Sequence, residues 1–130
     1  MYFYYNKKTQ KGRLNKLEFK SNNIKFGEFG LKTKNAGIIT LKQIEAARKA
    51  IIRKLKNKGK LWICTFPSLA ITSKPIEARM GKGKGFISYW ALKVSGGSVL
   101  FEICGVSTHI AIEALKSGKN KLPIKTKVFY

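Results

Sequence analysis

An excess of positive charge is the feature that most constrains what this chain can fold into. Its 130 residues contain 27 Lys and Arg against 6 Asp and Glu, a formal net charge of +21 at pH 7. A compact domain with this imbalance repels itself, so we expect its native partner to supply negative charge. Because lysines occur on every segment rather than beside one apolar anchor, the pattern favours nucleic acid over a membrane surface.

The apolar content indicates that the chain nevertheless folds. Hydrophobic residues make up 44% and aromatic residues 12%, too many for a disordered basic tail. No apolar run reaches the roughly 20 residues that a membrane span needs. The N-terminus places aromatic residues before lysines, the reverse of a secretory signal, so we read it as mature sequence. We predict a basic N-terminal arm over residues 1–20 and a single globular nucleic-acid-binding domain over residues 21–130.

Two helices are predicted from capping residues and apolar spacing. Thr40 is placed to cap a helix that runs to about Lys56, with Gln43 completing a capping box and Gly59 ending the helix. Ile44, Ala47, Ile51 and Leu55 share its apolar face. The second helix is predicted from residue 107 or 108 to residue 116, with a glycine at 118 stopping it.

Strands are predicted from β-branched and aromatic residues between turn residues. The predicted segments are 24–29, 31–34, 60–66, 71–78, 86–94, 99–103 and 122–130. Segments 86–94 and 99–103 are predicted to pair as a hairpin across Ser95-Gly96-Gly97. Since strands and helices do not alternate regularly, we expect an α+β fold, a compact domain of mixed sheet with two helices.

The most specific motif is the run Arg79-Met80-Gly81-Lys82-Gly83-Lys84-Gly85. Glycine lets a backbone approach a bulky partner and adopt positive φ, while the lysines add charge. The run therefore predicts a loop that lies against phosphates; the alternative is a mobile hairpin tip with incidental charge. A P-loop and a dinucleotide fingerprint are both excluded, because the glycines are too closely spaced and Phe86 follows them.

Phosphate contacts are expected from lysines and arginines of three regions: the arm, the outer face of the first helix and the glycine-rich loop. The helix face also carries Lys42, Glu45 and Lys56, and a merely solvated surface is the alternative there. Strand residues Trp62, Tyr89 and Trp90 either stack on unpaired bases or belong to the core. The residues predicted to make these phosphate contacts are Lys7, Lys8, Lys11, Arg13, Lys16, Lys49, Arg53, Lys82, Lys84 and Lys125.

Catalytic and metal-binding chemistry finds little support in the sequence. The chain has no aspartate, its glutamates fall singly, and His109 is the only histidine. A general acid/base pair or a magnesium site needs converging carboxylates, and zinc needs four ligands. We therefore predict no enzyme, no metal and no cofactor. Cys64 and Cys104, each in an apolar context, are expected to be buried free thiols.

Four motifs occurring in order give the chain a resemblance to a known family. They are Phe26-Gly27-Glu28-Phe29-Gly30-Leu31-Lys32, Gln43-Ile44-Glu45-Ala46-Ala47-Arg48, the segment from Lys74 to Gly85, and Leu122-Pro123-Ile124-Lys125-Thr126. Together they resemble large-subunit ribosomal protein sixteen of bacteria and organelles, homologous to protein ten-e of archaeal and eukaryotic ribosomes. The resemblance spans roughly residues 24–127.

This resemblance implies a hammerhead-like α+β fold at the base of the central protuberance of the large ribosomal subunit. It implies large-subunit rRNA, tRNA at the aminoacyl site and neighbouring ribosomal proteins as partners. A membrane is not expected as a partner, and the chain is not expected to form a homo-oligomer. The segment from Arg79 to Gly85 matches the family loop that reaches toward tRNA near the peptidyl-transferase centre. The alternative is a non-ribosomal basic protein of nucleoid or single-strand-binding type.

The residue bias also bears on the source of the chain. Arginine occurs only at Arg13, Arg48, Arg53 and Arg79, while lysine, asparagine and isoleucine are abundant. This bias resembles translation from an AT-rich genome, which favours an organelle-encoded protein of the mitochondrial ribosome. Bacterial cytoplasm and plastid stroma are the alternatives.

Overall fold

The fold was analysed in a computed structural model, which describes residues 8–14 and 17–130. The predicted α+β class with two helices is confirmed, within a single domain. Lys7 and Lys16, predicted to bind rRNA, lie outside the described residues. In chain order the elements are β1 (Phe29–Thr33), β2 (Gly37–Thr40), α1 (Leu41–Leu55), β3 (Lys60–Ile63), β4 (Leu69–Ser73), β5 (Phe86–Val94), β6 (Val99–Cys104), α2 (Thr108–Lys119) and β7 (Thr126–Phe129).

The strands divide between two sheets, and every pair is antiparallel. One sheet has the order β3-β6-β1-β7 and the other the order β2-β5-β4. The predicted hairpin of residues 86–94 and 99–103 is therefore wrong, although the strand bounds are close. The residues between them pair with the end of β1 instead: the amide of Gly97 donates to Thr33 O at 2.8 Å, and that of Ser98 to Thr33 Oγ1 at 3.1 Å. This contact directs the chain from one sheet into the other.

Helix α1 begins and ends where its sequence predicts, to within one residue. Thr40 Oγ1 accepts from the Gln43 amide at 3.4 Å, and the Gln43 side chain accepts from the Thr40 amide at 2.9 Å, so the capping box is confirmed. The helix ends at Lys56, which is left-handed at φ +50°, and Asn57 follows at φ +62°. Gly59 is not the residue that ends it.

Helix α2 runs through the glycine that was expected to stop it. Gly118 is buried inside the helix, where an added Cβ would lie 2.6 Å from Cγ1 of Ile51 on α1. The glycine therefore permits the close approach of the two helices rather than a helix end. Ser107 is the N-cap residue, but its side chain makes no capping hydrogen bond.

The main core lies between the two helices and both sheets. It joins the buried face of α1 to buried residues of β1, β2, β5 and β6, including Leu31, Ile39, Leu92 and Phe101, all less than a tenth exposed. A smaller cluster, Leu69, Ile71 and Ala91, lies on the β4–β5 pair. Neither described helix is long and apolar enough to span a membrane.

The predicted strand over residues 24–29 is wrong for most of its length, because its backbone amides bind a carboxylate. Glu102, on β6, is 1% exposed. Its Oε2 accepts from the amides of Phe26 at 2.7 Å and Gly27 at 2.9 Å, and its Oε1 from the amide of Lys25 at 3.1 Å. Three successive donors committed to a side chain cannot join a strand ladder, so β1 begins only at Phe29.

Burial alone would raise the pKa of Glu102, but the hydrogen bonds from Phe26, Gly27 and Lys25 outweigh it and hold the pKa below its usual range. The carboxylate therefore stays ionised at neutral pH.

The two thiols are free, but they are less buried than the sequence suggested. Cys64 is exposed as a residue and Cys104 is half-buried. The Cys64 side chain nevertheless reaches Glu102. Partial burial of the thiol, together with the charge and hydrogen bond of Glu102, raises the pKa of Cys64 to about 12. The thiol therefore stays protonated, and poorly reactive, at neutral pH.

We predict that Glu102→Gln lowers the free energy of unfolding by about 3 kcal/mol at pH 7, because a neutral amide cannot satisfy three amide donors as a carboxylate does. The folded-state pKa lies below the unfolded value near 4.5. The contribution of Glu102 is thus fully present above pH 4.5 and is lost as pH falls through the folded pKa. Urea unfolding of both proteins at pH 7 and at pH 3 measures this difference.

Glu28→Gln, at an exposed position of the adjacent segment, is the matched control and should leave stability nearly unchanged. A Glu102→Gln deficit that is equally large at both pH values would contradict the role given to the carboxylate charge.

Candidate nucleic-acid interface

The residues between β4 and β5, numbers 74–85, form an exposed loop, which we call the Gly-Lys loop. It is closed on itself at two points. The Ala78 amide donates to Pro75 O at 3.1 Å, and the Lys74 ammonium donates to the carbonyl oxygen of Gly81. Met80, between these contacts, is 96% exposed. The loop thus presents its tip to solvent while its two ends are held by the β4–β5 pair.

Three successive residues of the tip adopt positive φ, as the glycine pattern predicts. The angles are +87° at Gly81, +55° at Lys82 and +88° at Gly83. A Cβ added at either glycine would meet no heavy atom within 4 Å. The glycines are therefore required by backbone conformation and not by packing, and the open space beside them is available to a partner.

The N-terminal arm lies against this loop through a reciprocal pair of lysine contacts. The Lys8 ammonium donates to Lys84 O at 3.0 Å, and the Lys84 ammonium donates to Thr9 O at 2.5 Å. Lys8 also lies 5.3 Å from the centre of the Phe86 ring, within range of a cation–π contact. Further along the arm, the Lys93 ammonium of β5 donates to Lys11 O at 3.0 Å.

The arm and the loop together enclose an open cleft of about 740 Å³. Five positively charged side chains are among its lining residues: Lys8, Lys74, Arg79, Lys82 and Lys84. Within residues 74–85 there are four cations and one carboxylate, Glu77. Such a concentration of like charge repels itself unless an anion occupies the cleft.

Four of the other five glutamates are engaged elsewhere. Three ion pairs occur among the described residues, and all involve α1: Glu45–Arg48 at 2.6 Å, Glu45–Lys49 at 3.9 Å and Lys54–Glu113 at 2.7 Å. The hydrogen bond from Arg48 holds the pKa of Glu45 below its usual value, and that from Lys54 does the same for Glu113.

Another glutamate, Glu18, accepts from the backbone amide of Lys20 at 3.0 Å and from that of Ser21 at 3.3 Å. With Glu102 also bound to backbone amides, the cleft cations depend on an external partner for compensation.

The structure brings some of the predicted rRNA-binding residues together and leaves others apart. Lys8, Lys82 and Lys84 line the cleft. Lys11 and Arg13 lie exposed along the arm. The other three described residues lie on separate elements and are not among the lining residues: Lys49 and Arg53 on the outer face of α1, and Lys125 before β7.

Two basic residues of this region were not predicted from the sequence to have a role. Lys74 holds the loop closed, and Lys93 anchors the arm. The sequence does mark Lys93 as unusual, since it is a lone lysine in the otherwise apolar run from Ala91 to Val94. In the structure it is half-buried. Lys74 has none, because a lysine before a proline is an ordinary loop residue.

Within residues 8–14 and 17–130, no cluster of His, Cys, Asp or Glu has the size needed to hold a metal ion. What the interface offers is fixed positive charge, exposed backbone and a few exposed apolar side chains, of which Met80 and Phe86 border the cleft. This combination is suited to holding phosphates rather than to proton transfer.

Comparison with known proteins identifies the family. The family model described as "Ribosomal protein L16p/L10e" matches residues 4–129. The chain belongs to this family. A protein named large ribosomal subunit protein uL16 from Bartonella quintana (strain Toulouse) is 50% identical over 121 residues, which cover 93% of this chain and 88% of the relative. The protein of the same name from Bartonella bacilliformis is 49% identical with the same coverage.

The L16p/L10e match includes both the Gly-Lys loop and all but the start of the arm, so the cleft lies wholly inside the matched region. The resemblance drawn from four short motifs is therefore confirmed and extends beyond residues 24–127.

The two last glycines of the loop should differ in their effect on stability. A Cβ at Gly85 would lie 2.4 Å from the backbone oxygen of Ser73, so Gly85→Ala must separate β4 from β5 and should cost about 2 kcal/mol. At Gly83 only the positive φ opposes a side chain, and we expect Gly83→Ala to cost about 1 kcal/mol or less. Urea unfolding of the two variants tests this order, and an equal or reversed order would show that Gly85 is not a packing position.

Proposed function

We propose that this chain is a structural constituent of the large ribosomal subunit that binds rRNA at the base of the central protuberance. The observation that carries the proposal is the cationic cleft between arm and Gly-Lys loop, found in a chain of the L16p/L10e family. None of its five cations has a carboxylate partner among the described ion pairs. RNA phosphates would supply the missing negative charge. The relatives' printed name, large ribosomal subunit protein, supports the same role.

In this proposal the protein acts by shape and charge, not by catalysis. The packed domain, residues 21–130, fixes the relative positions of the cleft, the basic face of α1 and Lys125, while the arm, residues 1–20, follows the RNA surface. Structured RNA is recognised largely through its backbone and shape, so phosphate contacts should outnumber base contacts. Neighbouring ribosomal proteins would complete the environment, with one copy of this chain per subunit.

The finer part of the proposal assigns the loop tip, residues 79–85, to tRNA at the aminoacyl site. The tip is exposed, carries Arg79, Lys82 and Lys84, and projects from the rigid β4–β5 pair. A positive, solvent-facing tip on a rigid base can contact a transient polyanion while the rest of the protein stays bound to rRNA. Lysine and arginine there would hold tRNA phosphates as charges of fixed position.

The source compartment also belongs to the proposal. The preference for lysine over arginine supports an organelle-encoded protein of the mitochondrial ribosome, whereas the two relatives named above are bacterial and support bacterial cytoplasm. The proposed function is the same in both.

The native protein should co-sediment with large ribosomal subunits and leave them only at high salt. Each neutralised phosphate steepens the fall of affinity with salt by about 0.9 in the logarithmic slope, so many contacts give tight binding at moderate salt and a steep loss above it. Sucrose-gradient fractions at increasing KCl, probed for this chain, measure the release. Loss at moderate salt, or equal affinity for any DNA or RNA duplex, would favour the nucleoid-type alternative.

Arg79→Glu should impair translation more than incorporation into the subunit. Replacing a charge-assisted phosphate contact by a repulsive carboxylate should weaken tRNA engagement about tenfold or more, while the other contacts keep the protein on rRNA. Occupancy of purified subunits and their peptide-synthesis rate are measured together. Arg53→Glu, the matched charge reversal on α1, should instead act on incorporation, and loss of incorporation in Arg79→Glu would contradict a tRNA-facing loop.

A further inference from the structure

Strand β5 extends beyond its neighbour β2, and among the described residues no strand lies beside the far end of that edge. The β2–β5 pairing runs from Gly37 opposite Val94 to Thr40 opposite Ala91, where the chain turns into α1. Residues 86–89 of β5 pair only with β4 in the described part of the chain. This edge therefore faces the first turn of α1 across an open space.

A β-bulge shapes the same stretch of β5. Ile71 of β4 lies opposite Tyr89, but the next residue, Thr72, lies opposite Ile87, so Ser88 has no residue opposite it. A bulge bends the strand and changes the direction of its side chains, and bulges are over-represented beside functional sites. Tyr89 was expected either to stack on a base or to belong to the core. It is 48% exposed and stands outside both core clusters.

The space between β5 and α1 is a pocket of about 480 Å³, a volume typical of small-ligand sites. Its apolar surface includes Leu41, which is 50% exposed, and Tyr89. Ser88 adds a hydroxyl that can donate and accept hydrogen bonds. The described lining residues are Thr40, Leu41, Lys42, Ser88, Tyr89 and Trp90.

A cationic groove continues from this pocket along α1. It shares Leu41 and Lys42 with the pocket and extends past Glu45 to Lys49. Lys42 and Lys49 are seven residues apart, which is about two helical turns or roughly 10 Å along one face. The carboxylate of Glu45 between them is paired with Arg48 at 2.6 Å and with Lys49 at 3.9 Å, so it adds no free negative charge.

We propose that this pocket binds one unpaired nucleobase of RNA, stacked on Tyr89, with phosphates of the same strand on Lys42 and Lys49. The inference rests on the proposed function, since it assumes that the RNA bound is rRNA, and it adds a single-stranded contact to the backbone contacts described above. Aromatic side chains beside a cationic groove are the means by which proteins bind unpaired bases. The open edge of β5 and the Ser88 hydroxyl supply hydrogen-bonding groups for the base.

A protein segment pairing with the open edge of β5 is the other conceivable occupant. The two exposed lysines that continue from the pocket favour RNA, because phosphates follow an unpaired base in both directions along its strand.

Ultraviolet cross-linking of intact large subunits, purified from cells that make this chain, gives a direct test. Peptides carrying a nucleotide adduct are then identified by mass spectrometry. We expect an adduct on the peptide containing Tyr89, in addition to adducts on the arm or the Gly-Lys loop. Adducts on the arm or loop without one on Tyr89 would overturn the inference and leave the proposed function standing. Absence of this chain from the subunits would overturn both.

Three tyrosine variants of the full chain provide a second measurement, with rRNA extracted from large subunits as the probe. Tyr89→Ala should weaken binding about 5- to 150-fold, the effect of losing one stacked base, whereas Tyr89→Phe keeps the ring and should bind within about twofold of the original. Tyr130→Ala removes an 87% exposed tyrosine outside the pocket and should have no effect.

The salt dependence separates stacking from charge. Tyr89→Ala should leave the slope of affinity against salt unchanged, because the ring carries no charge, whereas Lys42→Gln should reduce the slope by about 0.7. Circular dichroism verifies that each variant is folded. If Tyr89→Ala bound rRNA normally, the inference would be wrong. If it did so and was also lost from subunits, a protein partner would be the occupant.

Discussion

The buried carboxylate of Glu102 is the interaction on which the arrangement of the main sheet depends. It stands on β6, between β3 and β1, and holds three successive amides of the segment that leads into β1. Before Phe29 that segment makes one backbone hydrogen bond to β6, from the Glu28 amide to Ile103 O at 2.9 Å, so the course of residues 25–27 is determined by a side chain and not by a strand ladder. Because β1 then pairs with both β6 and β7, the position of the C-terminal strand follows from the same contact.

Four of the six glutamates of this chain bind groups within the fold, and this helps explain how so basic a protein presents its charge outward. Glu102 and Glu18 bind backbone amides, while Glu45 and Glu113 pair with cations of α1. The cleft between arm and loop is left with cations whose described partners are neutral carbonyl oxygens. The positive charge of the cleft is thereby left uncancelled within the fold.

The parts of the fold that the sequence predicts are those determined by local physics. The capping box at Thr40 and Gln43 and the apolar face of α1 involve residues three to four apart, so spacing alone identifies them. The positive φ of the Gly-Lys loop likewise follows from its glycines. The proposal that the loop binds phosphates rests on its charge and glycines, which are visible before any tertiary contact is known.

Three of the errors concern contacts between distant residues. Gly118 resembles a helix stop until Ile51, 67 positions earlier, is seen to need its missing side chain. Residues 95–97 have the composition of a hairpin turn, yet Thr33 draws them into a crossover between sheets. Residues 24–28 have strand composition, but Glu102 binds the amides of residues 25–27. The cleft was likewise only half predicted, because no sequence pattern joins Lys8 to Lys84.

The reciprocal contacts between arm and loop have a consequence for the order of events when RNA arrives. A lysine bound to a carbonyl keeps its full charge, so Lys8 and Lys84 attract a polyanion from a distance even while they hold the arm in place. A phosphate oxygen is a stronger acceptor than a carbonyl, and exchange of one for the other leaves each ammonium continuously bonded. Under the proposed function, the arm would occupy the RNA site until phosphates replace the carbonyls bound to Lys8 and Lys84, and it would then be free to follow the RNA.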